Sequence, residues 1–430
     1  MKKAALMAAG DSTRMLPLSA NRPKHLLPVA GTPLIFHTLK GLRDAGIRET
    51  LIIHGYHGDI LRDAIDAVDW GRMNIVYIEQ KERKGTAHAA GHARDFAGDE
   101  DIIIMNGDVL TAPDTYMSLI AFHEKHKFSM SISVLPVADP SAYGVVEAEG
   151  IEAKKLIEKP TPDQSKSNLC NMGIYAAGPD LWDAIDRTEL STRKEYEITD
   201  SIEMLINEGK VGVHKIESWW LDIGKPWDLL AANEQILKDA PERIRGTVEE
   251  GAVIKGSAIV EPSAVIKSGA YIEGPVYIGP ECVIGPNCYI RPYTSLGRKV
   301  KIGNAVEIKN SIIMDHTNVG HLSYVGDSVI GMNSNFGAGT ITANLRHDNA
   351  DIKVTVKGAR LGSGRRKLGA IIGDDVKTGI GTSISTGIVL HQGAGTGIGV
   401  IVDRDIPPYT LVTARQTQQK IETRPLDRGK

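Results

Sequence analysis

The sequence predicts an α/β domain with a mostly parallel sheet, followed by a parallel β-helix. Three observations carry this reading. Short apolar runs alternate with amphipathic stretches in residues 1–245, an apolar residue returns at every sixth position beyond 251, and glycine density roughly doubles across the boundary, with 18 of the 45 glycines in residues 1–245 and 27 in residues 246–430. At 430 residues the chain exceeds one ordinary domain. The expected division is 1–241, 242–415 and a charged tail at 416–430.

In the first part the apolar runs predict strands at 3–7, 50–54, 74–78 and 102–105. The 3.6-residue pattern predicts helices at 33–45, 59–68, around 87–96 and at 227–238. Strand and helix in alternation imply a parallel sheet whose ligands bind at the carboxyl ends of its strands.

In the second part Ile254, Val260, Ile266, Ile272, Ile278, Ile284, Ile290, Leu296, Ile302, Ile308 and Met314 follow one another at intervals of six. A second register of small or aliphatic residues runs two positions earlier, from Ala252 to Ile312, and the main pattern resumes at Ile372, Thr378, Ile384 and Leu390. Neither a helix nor a simple strand has this period. Each hexad makes one wall of a coil, and the glycines turn the corners. Cys282 and Cys288 then point inward as packing residues.

Composition narrows the function classes. With 42% hydrophobic and 24% charged residues the chain can build real cores, and a net charge of -3 offers no bulk attraction to nucleic acid. Three cysteines make no disulfide framework, and no run of 18 apolar residues occurs. We therefore expect a cytoplasmic protein with no nucleic-acid or membrane partner.

Candidate chemistry begins after the first strand, at Ala8-Ala9-Gly10-Asp11-Ser12-Thr13-Arg14, followed by Pro23-Lys24. A glycine turn lets backbone N–H groups approach a phosphate, and Arg14 and Lys24 add positive charge. The spacing resembles the G-x-G-T-R and P-K signature of sugar-1-phosphate nucleotidylyltransferases, with Ser12 in place of the second glycine. That resemblance implies a Rossmann-like nucleotidyltransferase fold and further site segments. Gln80 with Gly85-Thr86 would recognise a pyrimidine base, the Gln80 amide being able to donate and accept. Asp108 and Asp222 would hold Mg²⁺, whose preference for oxygen suits two facing carboxylates. Tyr143-Gly144, Glu158-Lys159, Asn171, Gly173, Tyr196 and Thr199 would contact the sugar. The implied reaction is attack by a sugar-1-phosphate on the α-phosphorus of UTP or dTTP.

Arg291, Lys309 and His321 have no evident structural task on a prism held together by apolar walls. The repeat resembles the left-handed β-helix of hexapeptide acyltransferases, usually homotrimers. The segments around these residues are similar to the acetyltransferase half of bacterial bifunctional N-acetylglucosamine-1-phosphate uridylyltransferases, and more so to the archaeal bifunctional sugar-1-phosphate nucleotidylyltransferase/acetyltransferases. The resemblance implies His321 as general base, Arg291 and Lys309 as sugar-phosphate ligands, Tyr324 and Asn335 as sugar contacts, and Asn344 supporting the amine, with acetyl-CoA as donor. Lys353 is a further candidate. Leu345 stands where the bacterial pattern has tyrosine, and 346–369 is an insertion whose Gly364-Arg365-Arg366-Lys367 either binds coenzyme A phosphates or lies in solvent. Two other readings stay open: a monofunctional glucose-1-phosphate or mannose-1-phosphate nucleotidylyltransferase with an assembly-only β-helix, and a non-catalytic regulatory paralogue.

Overall fold

A computed structural model of the chain describes residues 1–161 and 163–414, so the tail expected at 416–430 lies outside the described residues. The chain divides into two compact units, the first spanning Met1–Ala240 and the second starting at Pro241.

The first unit is built on a nine-stranded sheet in the order Asn74–Glu79, Glu49–His54, Lys3–Ala8, Ile102–Asn106, Leu169–Ala177, Met130–Pro136, Val211–Lys215, Glu152–Glu158, Gly144–Glu149. The first four strands are parallel, as the alternation of runs predicts. Leu169–Ala177 then enters antiparallel to both neighbours, so the sheet is mixed. Helices Leu34–Asp44 and Gly58–Asp66 occupy the expected stretches. The helix expected around 87–96 is two short ones, Thr86–Gly91 and Arg94–Ala97, separated at His92 and Ala93. Ala4, Leu6, Ile52, Ile103 and Ile104 are wholly buried, the leucine and each isoleucine contributing about 1.5–3 kcal/mol by leaving water. The strands they anchor end together beside the loop that follows Ala8.

The second unit is a parallel β-helix. Three sheets of eight, nine and eight short strands form its walls. Successive coils pair in register, for instance Ile272 with Ile290 and Ile290 with Ile308, and the hexad residues fill the interior. Cys282 and Cys288 pack inward as expected, and burial pushes both thiols up to about 12.

The hexads break at several places, first after Ile308 and again between Val325 and Ile330, where Ile313 pairs with Ile330 at 17 residues. Leu296 pairs with Ile313, 17 residues on instead of the usual 18, so Ile313 enters the core and not Met314 or Ile312. A coil one residue short moves the inward position one residue earlier in the sequence, and Val319 and Val325 keep the new register. The insertion at 346–369 is a β-hairpin, Lys353–Val356 against Ala359–Gly362, that lengthens one coil: Val329 pairs with Ile371, 42 residues away. Ile352 and Val354 are fully buried, and Arg360 donates to the Gly387 carbonyl at 3.3 Å. Among the described residues no helix is long and apolar enough to cross a membrane.

Candidate active sites

The loop after Lys3–Ala8 is shaped by Ser12, whose φ of 56° lies in the left-handed region. A non-glycine residue there costs about 1–2 kcal/mol. Two hydrogen bonds at Ser12 offset that cost: its hydroxyl accepts from the Lys24 N–H at 3.2 Å, and its carbonyl accepts from Ser19 Oγ at 2.8 Å. Serine thus serves where the resembling signature has glycine, and it ties the loop to Lys24. Thr13 donates to Asp11 at 2.9 Å. The outer side of Gly10 is open, with no atom within 4 Å of a built Cβ, and Ala8 and Ala9 are buried.

Lys24 forms an ion pair with Asp108, which follows Ile102–Asn106. Burial alone would raise the Asp108 carboxyl, but the Lys24 charge and hydrogen bond outweigh it and hold the group below the usual carboxylate range. Trp220–Asp222 pairs antiparallel with Val109–Thr111, and Ile223 N–H donates to the Asp108 carbonyl at 3.0 Å, so the two aspartates sit on neighbouring backbones. Asp222 is pushed up to about 6, first by burial and then by the Asp108 charge. Arg14 completes the group: its guanidinium carbon and Asp222 Oδ2 lie 3.7 and 3.6 Å from the Cβ position of Gly224. His25, buried behind Lys24, is driven down to about 3 by burial and by the Lys24 charge, and so stays neutral.

Gln80 follows Asn74–Glu79 and is buried, with its Nε2 2.8 Å from His88 Nδ1. Gly85 has φ 111°, and a Cβ there would lie 2.3 Å from the Tyr196 carbonyl oxygen, so glycine is required. Thr86 Oγ1 accepts from Ile198 N–H at 2.9 Å, which satisfies a free donor at the start of helix Ile198–Asn207. The base segment and the Tyr196–Thr199 segment are thereby clamped together.

Tyr143 is half-buried, its ring edge-on to Trp220 at 5.5 Å, and its hydroxyl is raised by burial and next by Asp222. Gly144 lies beside Glu158, and Lys159 N–H donates to the Tyr143 carbonyl at 3.0 Å. Asn171 accepts from Gly173 N–H at 3.0 Å, and Gly173, at φ 67°, abuts Asn106. Arg193, absent from the expected set, pairs with Glu197 at 2.9 Å and reaches Glu158 at 3.7 Å.

On the prism, one wall gathers a polar network. Strands Tyr289–Ile290, Glu307–Lys309, Tyr324–Gly326 and Ile341–Thr342 follow one another up this wall. Arg291 pairs with Glu307 at 2.9 Å. Lys309 pairs with Asp327 at 2.8 Å, and Asn344 donates to Asp327 at 2.5 Å and to the Tyr324 hydroxyl at 3.0 Å. Asp327 is 2% exposed. Glu307 and Asp327 are counter-ions that residue type alone does not reveal. Coil arithmetic does: they stand 16 and 18 residues after the cations they bind.

His321 ends strand Asn318–His321 on the adjacent wall, at the corner leading to Tyr324, and its side chain is exposed. Asn335 also lies on that adjacent wall, opposite Asn318 and Lys377, and is not part of the Tyr324 network. Lys353 stands on the hairpin paired with Gly362, and among the described residues it makes no hydrogen bond or ion pair with Arg291, Lys309 or Tyr324. Arg366 donates to Asn349 at 3.0 Å.

Comparison with known proteins fits both halves. A family model described as nucleotidyl transferase matches residues 3–239. The bifunctional protein GlmU of Methanocaldococcus jannaschii is 40% identical over 96% of this chain and 97% of its own. The chain belongs to the bifunctional sugar-1-phosphate nucleotidylyltransferase/acetyltransferase family. A protein carrying that family's name, from Sulfurisphaera tokodaii, is 40% identical over 94% of this chain and 98% of its own. Membership makes the chain a nucleotidyltransferase and an acetyltransferase at once. A crystal structure of UDP-glucose pyrophosphorylase complexed with UDP-glucose matches 56% of this chain and all of its own, at 25% identity and a TM-score of 0.51. Residues 272–394 match a model described as the GMPPB C-terminal domain.

Proposed function

We propose that this bifunctional enzyme acetylates glucosamine-1-phosphate or galactosamine-1-phosphate with acetyl-CoA, and transfers a nucleotidyl group from UTP or dTTP to a sugar-1-phosphate, N-acetylglucosamine-1-phosphate or glucose-1-phosphate. It does so in the cytoplasm as a homotrimer assembled through the β-helix. The single observation that carries the reading is the presence in one chain of two separate polar constellations, Lys24 with Asp108 and Asp222, and Arg291, Lys309, Tyr324 and Asn344 near His321.

Nucleotidyl transfer needs an oxygen of the sugar phosphate to form a bond to the α-phosphorus while the bond to pyrophosphate breaks. The nucleophile is already anionic, so no base is required, and positioning with charge neutralisation carries the rate. Arg14 and Lys24 bring positive charge, and the backbone from Ala8 to Thr13 brings donors for the phosphates. Asp222, destabilised as an anion by Asp108, leaves negative charge that a hard cation would relieve. Mg²⁺ commonly binds through one or two carboxylates and completes its shell with phosphate oxygens, so the residues fit it. Asp108 and Asp222 would hold the ion, which supplies further neutralisation of the phosphate oxygens. Gln80, Gly85 and Thr86 take the base, and Tyr143, Gly144, Glu158, Lys159, Asn171, Gly173, Tyr196 and Thr199 surround the sugar.

In acetyl transfer the substrate nitrogen bonds to the thioester carbon, the thiolate leaves, and the nitrogen gives up a proton. An exposed imidazole at 321 is suited to accept it. Arg291 and Lys309 attract the phosphate dianion, and Tyr324, Asn335, Asn344 and Lys353 remain candidates for the sugar and amine.

Incubating the purified protein with a panel of sugar phosphates, UTP or dTTP, and acetyl-CoA, while measuring pyrophosphate and free thiol separately, tests this. Both products are expected. Pyrophosphate without thiol from either glucosamine-1-phosphate or galactosamine-1-phosphate would overturn the proposed acetyl acceptors.

A further inference from the structure

Gln80 is 5% exposed, and a carboxamide held that far from water needs its polar atoms directed. Its Nε2 lies 2.8 Å from His88 Nδ1, on the first turn of the helix that follows the Gly85 loop. An amide nitrogen can only donate, so His88 Nδ1 accepts, and the proton of the neutral ring sits on Nε2. Holding Nε2 in this way fixes Oε1, the other arm of the planar amide, in one direction. Oε1 is not among the buried atoms that lack a partner, so it remains open to approach.

The direction of one amide is a chemical choice between pyrimidines. Uracil and thymine present N3–H as a donor beside the O4 acceptor. Cytosine presents the reverse, an N3 acceptor beside the N4 amino donor. An amide with Oε1 forward, and a second Nε2–H beside it, matches the first pair and opposes two like groups to the second.

We infer that His88 is a positioning residue for base selection: by accepting a hydrogen bond from Gln80 Nε2 through Nδ1, it fixes the amide with Oε1 toward the base and so selects uracil or thymine over cytosine. This rests on the proposed role of Gln80 at the base. His88 itself touches neither base nor phosphate in this account. Its effect passes wholly through Gln80, and asparagine, whose Oδ1 can take the place of Nδ1 as acceptor, preserves it.

The test compares pyrophosphate release with UTP and with CTP by the full-length wild type, His88→Leu and His88→Asn. With leucine the amide is free to turn. The preference of kcat/KM for UTP over CTP then falls about tenfold, the worth of one directed hydrogen bond, through a higher KM for UTP with kcat little changed. His88→Asn restores the wild-type ratio. An unchanged ratio in His88→Leu, with UTP turnover intact in the wild type, overturns the inference and leaves the proposed function standing. Equal loss of UTP and CTP turnover in both variants shows a merely structural role and also overturns it. Absence of turnover with both UTP and dTTP in the wild type overturns both this inference and the proposed function, and if dTTP is the better donor it replaces UTP in the comparison with CTP.

Discussion

Lys24 pairs with Asp108, beside the Asp222 carboxylate that would otherwise repel it, and it reaches there from the same turn that Ser12 anchors. Lys24→Ala should therefore lower pyrophosphate release by at least about 100-fold, the order lost when one preorganised charge-stabilising donor is removed, while thiol release stays near wild type. His321→Ala should do the opposite, lowering thiol release by about 10²–10⁴-fold, the usual worth of a positioned proton acceptor, with pyrophosphate release preserved. Coupled spectrophotometric assays of the two products check both. At this scale the sequence made the cations and the aspartates legible, because Lys24, Asp108, Asp222, Arg291 and Lys309 fall in motifs. The partners of Arg291 and Lys309 were hidden, since Glu307 and Asp327 meet them only once coils are stacked in register.

Each wall of a prism coil buries a large aliphatic side chain and, two positions earlier, a smaller one. Ile290 is wholly buried between Ile272 and Ile308, and Ile290→Ala should cost about 2–5 kcal/mol through lost burial and a cavity. Chemical denaturation of the second unit's transition measures it. The walls were readable because period six admits no other fold, but the pattern fails where coil length changes. Ile312, Ile313 and Met314 are all apolar, so the one-residue shortening is masked locally and shows in the sequence only further on, where Val319 and Val325 continue from Ile313 at intervals of six. In the insertion, Ile352, Val354 and Val356 alternate with polar residues, a strand signal outweighed by the charges around it. The break at His92 and Ala93 follows Gly91, but a lone glycine inside an apolar helical pattern is a weak stop signal, so one helical stretch was expected where two short helices stand.

Over the whole chain, acid acts on the two units unequally. His214 is buried between Ser133 and Ser118, and burial drives it down to about 4. A histidine whose folded pKa is depressed contributes stability in full above the unfolded value near 6.5, and that contribution is lost as pH falls through about 4. The first unit should therefore lose about 3 kcal/mol between pH 7 and pH 4 from this group, and His25 adds an effect of the same sign. All five tryptophans lie in the first unit, so their fluorescence during urea unfolding at the two pH values follows it selectively. His214→Gln should flatten the dependence.

The division of labour between the units is tested most directly by a crossed assay. Wild type, Lys24→Ala and His321→Ala are each given acetyl-CoA, glucosamine-1-phosphate, N-acetylglucosamine-1-phosphate, UTP and Mg²⁺, and thiol and pyrophosphate are measured from the same sample. The account predicts that wild type makes both products, that Lys24→Ala makes thiol without pyrophosphate, and that His321→Ala makes pyrophosphate without thiol. Retention of both products by both variants would contradict it.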